Sequence, residues 1–176
     1  MSKVIMVTGG SRSGKSVIAE KKAREYGDQS VLYLATAIPV DEDMKERIRI
    51  HQERRDVNWG TYEGYRDLGQ VVTSTEKSTI LLDCVTVMIT NILFEEERDF
   101  DKISNQEISD LENEVILELS KLIKGIRDTD KTLIIVTNEV MVVCSLFGIA
   151  FLWDWNENCP FPVLWPLLSF SNLLAY

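Results

Sequence analysis

Gly9-Gly10-Ser11-Arg12-Ser13-Gly14-Lys15-Ser16 fits the pattern G-x-x-x-x-G-K-[ST]. Its flanks supply the context that such a stretch needs. Before it, Lys3-Val4-Ile5-Met6-Val7-Thr8 is a short β-branched run that predicts a buried strand. After it, Val17-Ile18-Ala19-Glu20-Lys21-Lys22-Ala23 predicts a helix. Glycines between a strand and a helix let backbone N–H groups wrap a phosphate without side-chain clash. The helix N-terminus adds partial positive charge. Lys15 can then reach the β- and γ-phosphates, and Ser16 can ligate Mg²⁺. The stretch reads as a phosphate-binding P-loop.

Working outward, the same alternation continues. Ser30-Val31-Leu32-Tyr33-Leu34-Ala35-Thr36 predicts a second strand, apolar enough for a parallel sheet covered on both faces. Residues 41–55 are strongly charged and predict a helix, on which Met44, Ile48 and His51 share a face. Asn58-Trp59-Gly60-Thr61-Tyr62-Glu63 reads as a turn or short extended piece, and Ser78-Thr79-Ile80-Leu81-Leu82-Asp83 as the third strand. Residues 85–94 form an apolar helix candidate, and 95–105 a polar connection. Ile108, Leu111, Val115, Leu119, Leu122 and Ile126 recur at helical spacing. Lys131-Thr132-Leu133-Ile134-Ile135-Val136-Thr137 closes the series as a fourth strand, followed by Asn138-Glu139-Val140. Strands alternating with helices imply an α/β fold with a mostly parallel central sheet. Ligands of such sheets sit at the carboxyl ends of the strands. The P-loop, Thr36, Asp83 and Glu139 all fall there.

Composition narrows the function. The chain has 176 residues and a net charge of −9. That acidity argues against a general nucleic-acid binder, which needs a basic surface. Cys84, Cys144 and Cys159 have no paired metal-ligand spacing and read as free thiols in a reducing cytoplasm.

Two residues outside the P-loop carry chemistry. Asp83 ends an Ile-Leu-Leu run. That is how a metal-holding acid is presented opposite a P-loop, although an N-cap for the next helix would look the same. His51, the chain's only histidine, lies in Arg47-Ile48-Arg49-Ile50-His51-Gln52-Glu53-Arg54-Arg55. A neutral imidazole attacks activated phosphorus well, and nearby arginines neutralise phosphates. From the spacing alone, a solvated helix with an ordinary surface histidine is the better reading.

A resemblance covers residues 3–140. The P-loop, Leu32-Tyr33-Leu34-Ala35-Thr36-Ala37, Met44 with Arg47-Ile48, His51, Arg54-Arg55, Trp59 and Glu63 come in order. Leu81-Leu82-Asp83-Cys84-Val85-Thr86, Thr90-Asn91 and Thr137-Asn138-Glu139-Val140 follow. The chain closely resembles the bifunctional adenosylcobalamin-biosynthesis enzymes, adenosylcobinamide kinase / adenosylcobinamide-phosphate guanylyltransferase. The resemblance implies a RecA-like P-loop NTPase fold, a homotrimer, and two activities. One phosphorylates adenosylcobinamide with ATP or GTP. The other transfers GMP from GTP to adenosylcobinamide phosphate, releasing pyrophosphate. The family's guanylylated histidine falls on His51. Its nucleotide-binding positions fall on Gly9, Gly10, Ser11, Arg12, Ser13, Gly14, Lys15 and Ser16, on Ala35, Thr36 and Ala37, on Gln52, Glu53, Arg54 and Arg55, and on Glu63 and Asp83. Mg²⁺ would sit at Ser16 and Asp83. A different P-loop small-molecule kinase is the alternative from the P-loop alone.

Beyond residue 140 the resemblance stops. The family continues with a glycine-rich turn, a proline loop, a polar helix and a last strand. Residues 141–176 are instead apolar, rich in Trp and Pro, and carry no Lys or Arg. Residues 140–153 are too short for a membrane span of about 20 residues, and Pro160, Pro162 and Pro166 break the rest. We read this tail as frameshifted, against the rival of a lineage-specific ending. It leaves the C-terminal part of the fold incomplete, with sheet edge and core surface exposed. The extreme consequence would be an inactive nucleotide-binding remnant.

Overall fold

The computed structural model describes residues 2–10, 13–39 and 42–138, apart from the side chains of Asp43 and Arg47. Met1–Val140 make one unit. The tail, residues 141–176, lies outside the described residues, as do Ser11, Arg12, Asp41 and Glu139.

Five strands form one sheet: β1 (Lys3–Thr8), β2 (Val31–Ala35), β3 (Gly60–Glu63), β4 (Thr79–Asp83) and β5 (Thr132–Thr137). Their spatial order is β1-β5-β4-β2-β3, and every pairing is parallel. The fold is α/β and fits a P-loop NTPase. The helices are α1 (Lys15–Gly27), α2 (Glu42–Arg54), α3 (Leu68–Ser74), α4 (Val85–Leu93) and α5 (Asn105–Asp128).

The strand pleat explains the core. Ile5, Val7, Val31, Tyr33, Ala35, Leu81, Ile134 and Val136 alternate along their strands and cluster with Ala19 and Ala23 of α1. The intervening residues Leu32, Leu34, Ile80, Leu82, Leu133 and Ile135 are also buried. The central strands are therefore covered on both faces, as their continuous apolar sequence predicts. β1 differs. Its Val4 and Met6 are 39% and 40% exposed, and among the described residues its one neighbour is β5.

Of the two readings left open for 58–63, the structure takes the extended one: residues 60–63 are a strand that pairs with β2 at the sheet edge. One element departs from the sequence reading. Helix α3 was not anticipated. It is stapled from both ends by other parts of the chain. The buried Glu118 carboxylate of α5 accepts from Leu68 N at 2.8 Å. Lys131 Nζ donates to Val72 O and Thr75 O, both at 2.6 Å. Helix α5 starts at Asn105, three residues before the first apolar position, because Ser104 and Glu107 form a reciprocal capping box. Among the described residues no helix is long and apolar enough to cross a membrane.

Candidate functional site

The carboxyl ends of β1, β2, β4 and β5 point the same way, so the segments leaving them share one rim. A cavity of about 540 Å³ opens there, within the size range of small-molecule sites. Ser13, Gly14, Lys15 and Ser16 form one wall; Ala35, Ala37, Asp83, Cys84 and Asn138 form the strand-end floor. Helix α2 supplies Met44, Ile48, His51 and Arg54, with Arg55 just beyond it and Glu63 from β3. Met44, Ile48 and His51 do share a face, and that face lines the cavity.

The P-loop backbone has the shape that its glycines allow. Gly14 sits at φ 81°, a left-handed conformation that strains other residues. A Cβ on Gly9 would lie 2.7 Å from Ser13 Oγ. Lys15 Nζ donates to Gly10 O at 2.9 Å, so the ammonium lies folded against the loop. Its position at the first residue of α1 places it beside the backbone N–H groups of the helix start.

Asp83 is the centre of a buried polar group. Its Oδ2 accepts a 2.6 Å hydrogen bond from the Tyr33 hydroxyl, and His51 Nδ1 lies 3.9 Å from the same oxygen. The N-cap position of α4 belongs to Cys84, so the Asp83 side chain is committed to the site rather than to capping. Burial, then the Asp83 charge, push the Tyr33 hydroxyl well above its usual range, so it stays a proton donor. The Arg55 guanidinium lies over the face of that ring, 4.1 Å from the centroid. Arg55 reaches Glu63 at 3.7 Å, yet among the described residues its buried Nε has no hydrogen-bond partner. A buried orphan donor on a cavity wall is what a missing acidic ligand would satisfy.

Glu20 lies under the same group on α1. Arg54 Nη2 is 3.4 Å from Glu20 Oε2 and 3.5 Å from Oε1. Burial raises the Glu20 carboxyl above its ordinary value, with Arg54 and His51 opposing and Asp83 adding to the rise. Burial likewise pushes the Cys84 thiol up to about 11, which keeps it protonated and inert at neutral pH.

The remaining expected positions take different places. Thr36 is fully buried. Its hydroxyl accepts from Cys84 N at 2.9 Å and donates to Cys84 O at 2.8 Å, tying the ends of β2 and β4 together. Gln52 Nε2 donates to Glu63 Oε1 at 2.7 Å, orienting a cavity residue rather than lining the cavity. Glu53 is exposed and pairs with Arg49. Gly9 and Gly10 shape the loop behind the wall. Ser11 and Arg12 lie outside the described residues.

Tyr33, Glu20, Val17, Val87 and Asn138 also belong to this neighbourhood, beyond the positions that the sequence motifs point to. Two had a signal. Tyr33 puts a hydroxyl into an otherwise apolar strand, and Glu20 is an acid between Ala19 and Ala23 on the buried side of α1.

Among the described residues no cluster of three or more His, Cys, Asp or Glu forms a ready metal site. Mg²⁺ does not need one. It prefers one or two protein oxygens completed by phosphates and water. The Ser16 hydroxyl and Asp83 carboxylate line one cavity and are hard donors of that kind.

The comparisons with known proteins converge. The family model for cobinamide kinase / cobinamide phosphate guanyltransferase (CobU) matches residues 5–145. The bifunctional adenosylcobalamin biosynthesis protein CobU of Escherichia coli (strain K12) is 36% identical over 140 residues, covering 78% of this chain and 75% of that protein. The CobU protein of Salmonella typhimurium (strain LT2) gives the same identity and coverage. The bifunctional adenosylcobalamin biosynthesis protein CobP of Pseudomonas aeruginosa (strain PAO1) is 40% identical over 90 residues, covering 50% of this chain and 51% of that protein. The chain belongs to the cobinamide kinase / cobinamide phosphate guanyltransferase family.

Proposed function

We propose that this chain carries out both reactions of its family in cobalamin biosynthesis. It phosphorylates adenosylcobinamide with ATP or GTP. It then moves GMP from GTP through a guanylyl-His51 intermediate onto adenosylcobinamide phosphate, giving adenosylcobinamide-GDP and pyrophosphate. The observation that carries this reading is that Lys15 and His51 line one cavity of about 540 Å³.

In the kinase step, the substrate hydroxyl attacks the γ-phosphorus and the nucleoside diphosphate leaves. The P-loop N–H groups hold the phosphates, and Lys15 leaves the Gly10 carbonyl to meet the negative charge. In the transfer step, the His51 imidazole attacks the α-phosphorus and pyrophosphate leaves. The phosphate of adenosylcobinamide phosphate then attacks the guanylyl phosphorus and frees the imidazole. One hard displacement becomes two easier ones. Arg54 and Arg55, on the same wall, supply positive charge to the phosphates. Mg²⁺ held by Ser16 and Asp83 would neutralise charge on the phosphate oxygens. The other nucleotide positions expected from the resemblance, the cytoplasmic location and the homotrimer are part of this proposal.

The test is chromatographic. The purified chain, given adenosylcobinamide, GTP and Mg²⁺, should yield first the phosphate and then the GDP derivative. Only the phosphate would reduce the chain to a kinase. Neither product would favour a second reading, the inactive nucleotide-binding remnant. That reading has its own support: the family match ends at residue 145, and the residues after it carry no Lys or Arg. Replacing residues 141–176 by the product of an alternative reading frame should then restore activity.

A further inference from the structure

Tyr33 is 1% exposed at the middle of β2. A phenol buried that deeply needs a partner for its hydroxyl, and it has a specific one, Asp83 Oδ2 at 2.6 Å. The same oxygen faces His51 Nδ1 at 3.9 Å. Arg55 stacks on the ring at 4.1 Å, so the phenol is held from its face as well as at its hydroxyl. The chain of contacts runs from a rigid central strand to the one histidine on the cavity wall.

We infer that Tyr33 is a positioning residue for group transfer at His51. Its hydroxyl fixes the Asp83 carboxylate facing Nδ1 of His51, so that the imidazole keeps its proton on Nδ1 and presents the Nε2 lone pair. The inference rests on the reading of His51 as nucleophile and adds the device that aims it.

The chemistry follows from the two ring nitrogens being distinct. Attack on the α-phosphorus forms an Nε2–P bond and breaks the bond from phosphorus to the bridging oxygen, which leaves with pyrophosphate. No proton need move in that step. The imidazole gains positive charge, and a carboxylate facing Nδ1–H balances it. When the acceptor's phosphate oxygen attacks the phosphorus, the Nε2–P bond breaks and the electron pair returns to Nε2. A carboxylate free to rotate would give both tautomers, and the Nε2–H form has no lone pair at Nε2 to attack with. The Tyr33 hydroxyl removes that freedom by occupying Oδ2 from a fixed strand position.

The single histidine makes the test unambiguous. Protein labelled with ¹⁵N-histidine gives one imidazole, whose long-range ¹H–¹⁵N correlations identify the protonated nitrogen. The spectrum is taken on free protein without metal or nucleotide, at mildly alkaline pH. We expect mainly Nδ1–H in the wild type and a shift toward Nε2–H in Tyr33→Phe, which keeps the ring under Arg55 and loses only the hydroxyl. In single-turnover labelling with GTP, Tyr33→Phe should lower the saturating rate roughly 10- to 100-fold, the scale for partners that orient a histidine. The GTP concentration for half-saturation should stay the same. An unchanged rate and tautomer, or a change in half-saturation alone, overturns the inference. So does Nε2–H in the wild type, which decides the matter even if the variant fails to fold. Absence of label on wild-type protein would instead overturn the nucleophile reading, and the tautomer would still report on the Tyr33 contact.

Discussion

His51 Nδ1 lies 3.9 Å from Oδ2 of Asp83, joining the end of α2 to the end of β4. Neither residue is placed by its neighbours in sequence. His51 comes in from above on an amphipathic helix, and Asp83 is delivered by a strand whose other residues are buried. Their meeting point is the cavity that also contains Lys15. The site is a product of topology, and its parts can be removed separately.

Asp83→Asn tests the acid. The amide has nearly the same shape and can still accept from Tyr33, so the fold should persist. It lacks the charge that suits Mg²⁺ and faces the imidazole. Turnover should fall by roughly tenfold or more, on the scale of changes that disturb a metal or histidine environment. More Mg²⁺ should be needed for half-maximal rate. Mg²⁺ titration of both proteins checks this; an unchanged metal requirement would remove Asp83 from the metal site.

Lys15→Ala tests the P-loop. Among the described residues, the one hydrogen bond of the Lys15 ammonium in the free structure goes to a loop carbonyl, so its loss should cost little stability. With nucleotide bound it would lose a charge-assisted bond of about 1.5–3 kcal/mol, or roughly 10- to 150-fold in affinity. Calorimetric titration with GTP reads the difference directly. Equal affinity in the two proteins would mean that the lysine does not reach the phosphates.

Glu20 makes a pH-dependent prediction. Its carboxyl is raised above 4.5, first by burial. The folded chain therefore binds that proton more tightly than the unfolded chain. The resulting stability is full below the unfolded value and is lost as pH rises through the raised folded value. Glutamine is neutral throughout. The stability of Glu20→Gln relative to wild type should therefore increase from about pH 4 upward, then level off once wild-type Glu20 is ionised. Urea unfolding of both proteins across that range gives the difference. A flat or falling difference would show that the Arg54 contact outweighs burial.

Glu118→Ala tests the staple on α3. It leaves Leu68 N buried without its acceptor, at a cost of about 1–3 kcal/mol. The midpoint of chemical unfolding should fall accordingly. No change would mean that water or a neighbour replaces the carboxylate.

The sequence was most legible where local pattern and structure share a cause. The apolar strands β2, β4 and β5 and the P-loop follow from composition and glycine chemistry, and their limits agree within a residue or two. The 60–63 strand was harder, because four residues at a sheet edge carry almost no periodicity. Helix α3 was illegible for a clear reason. It has no side-chain cap of its own, and its ends are satisfied by Glu118 and Lys131, 50 and 59 residues away from Leu68 and Val72. The same holds in the site. His51, Lys15 and Asp83 announce themselves by residue type and motif. Tyr33 and Glu20 stand out in sequence as polar groups on apolar faces, but their roles depend on what lies across from them in the folded chain.

The central claim is that His51 carries the guanylyl group. Incubation with GTP labelled at the α-phosphate, followed by denaturation, measures it most directly. The wild-type chain should carry label that is lost in acid and kept in base, as a phosphoramidate requires. His51→Ala should carry no label, while phosphorylation of adenosylcobinamide, which draws on Lys15 and Ser16, largely continues. Equal labelling of the two proteins, or wild-type label that survives acid, would contradict that claim.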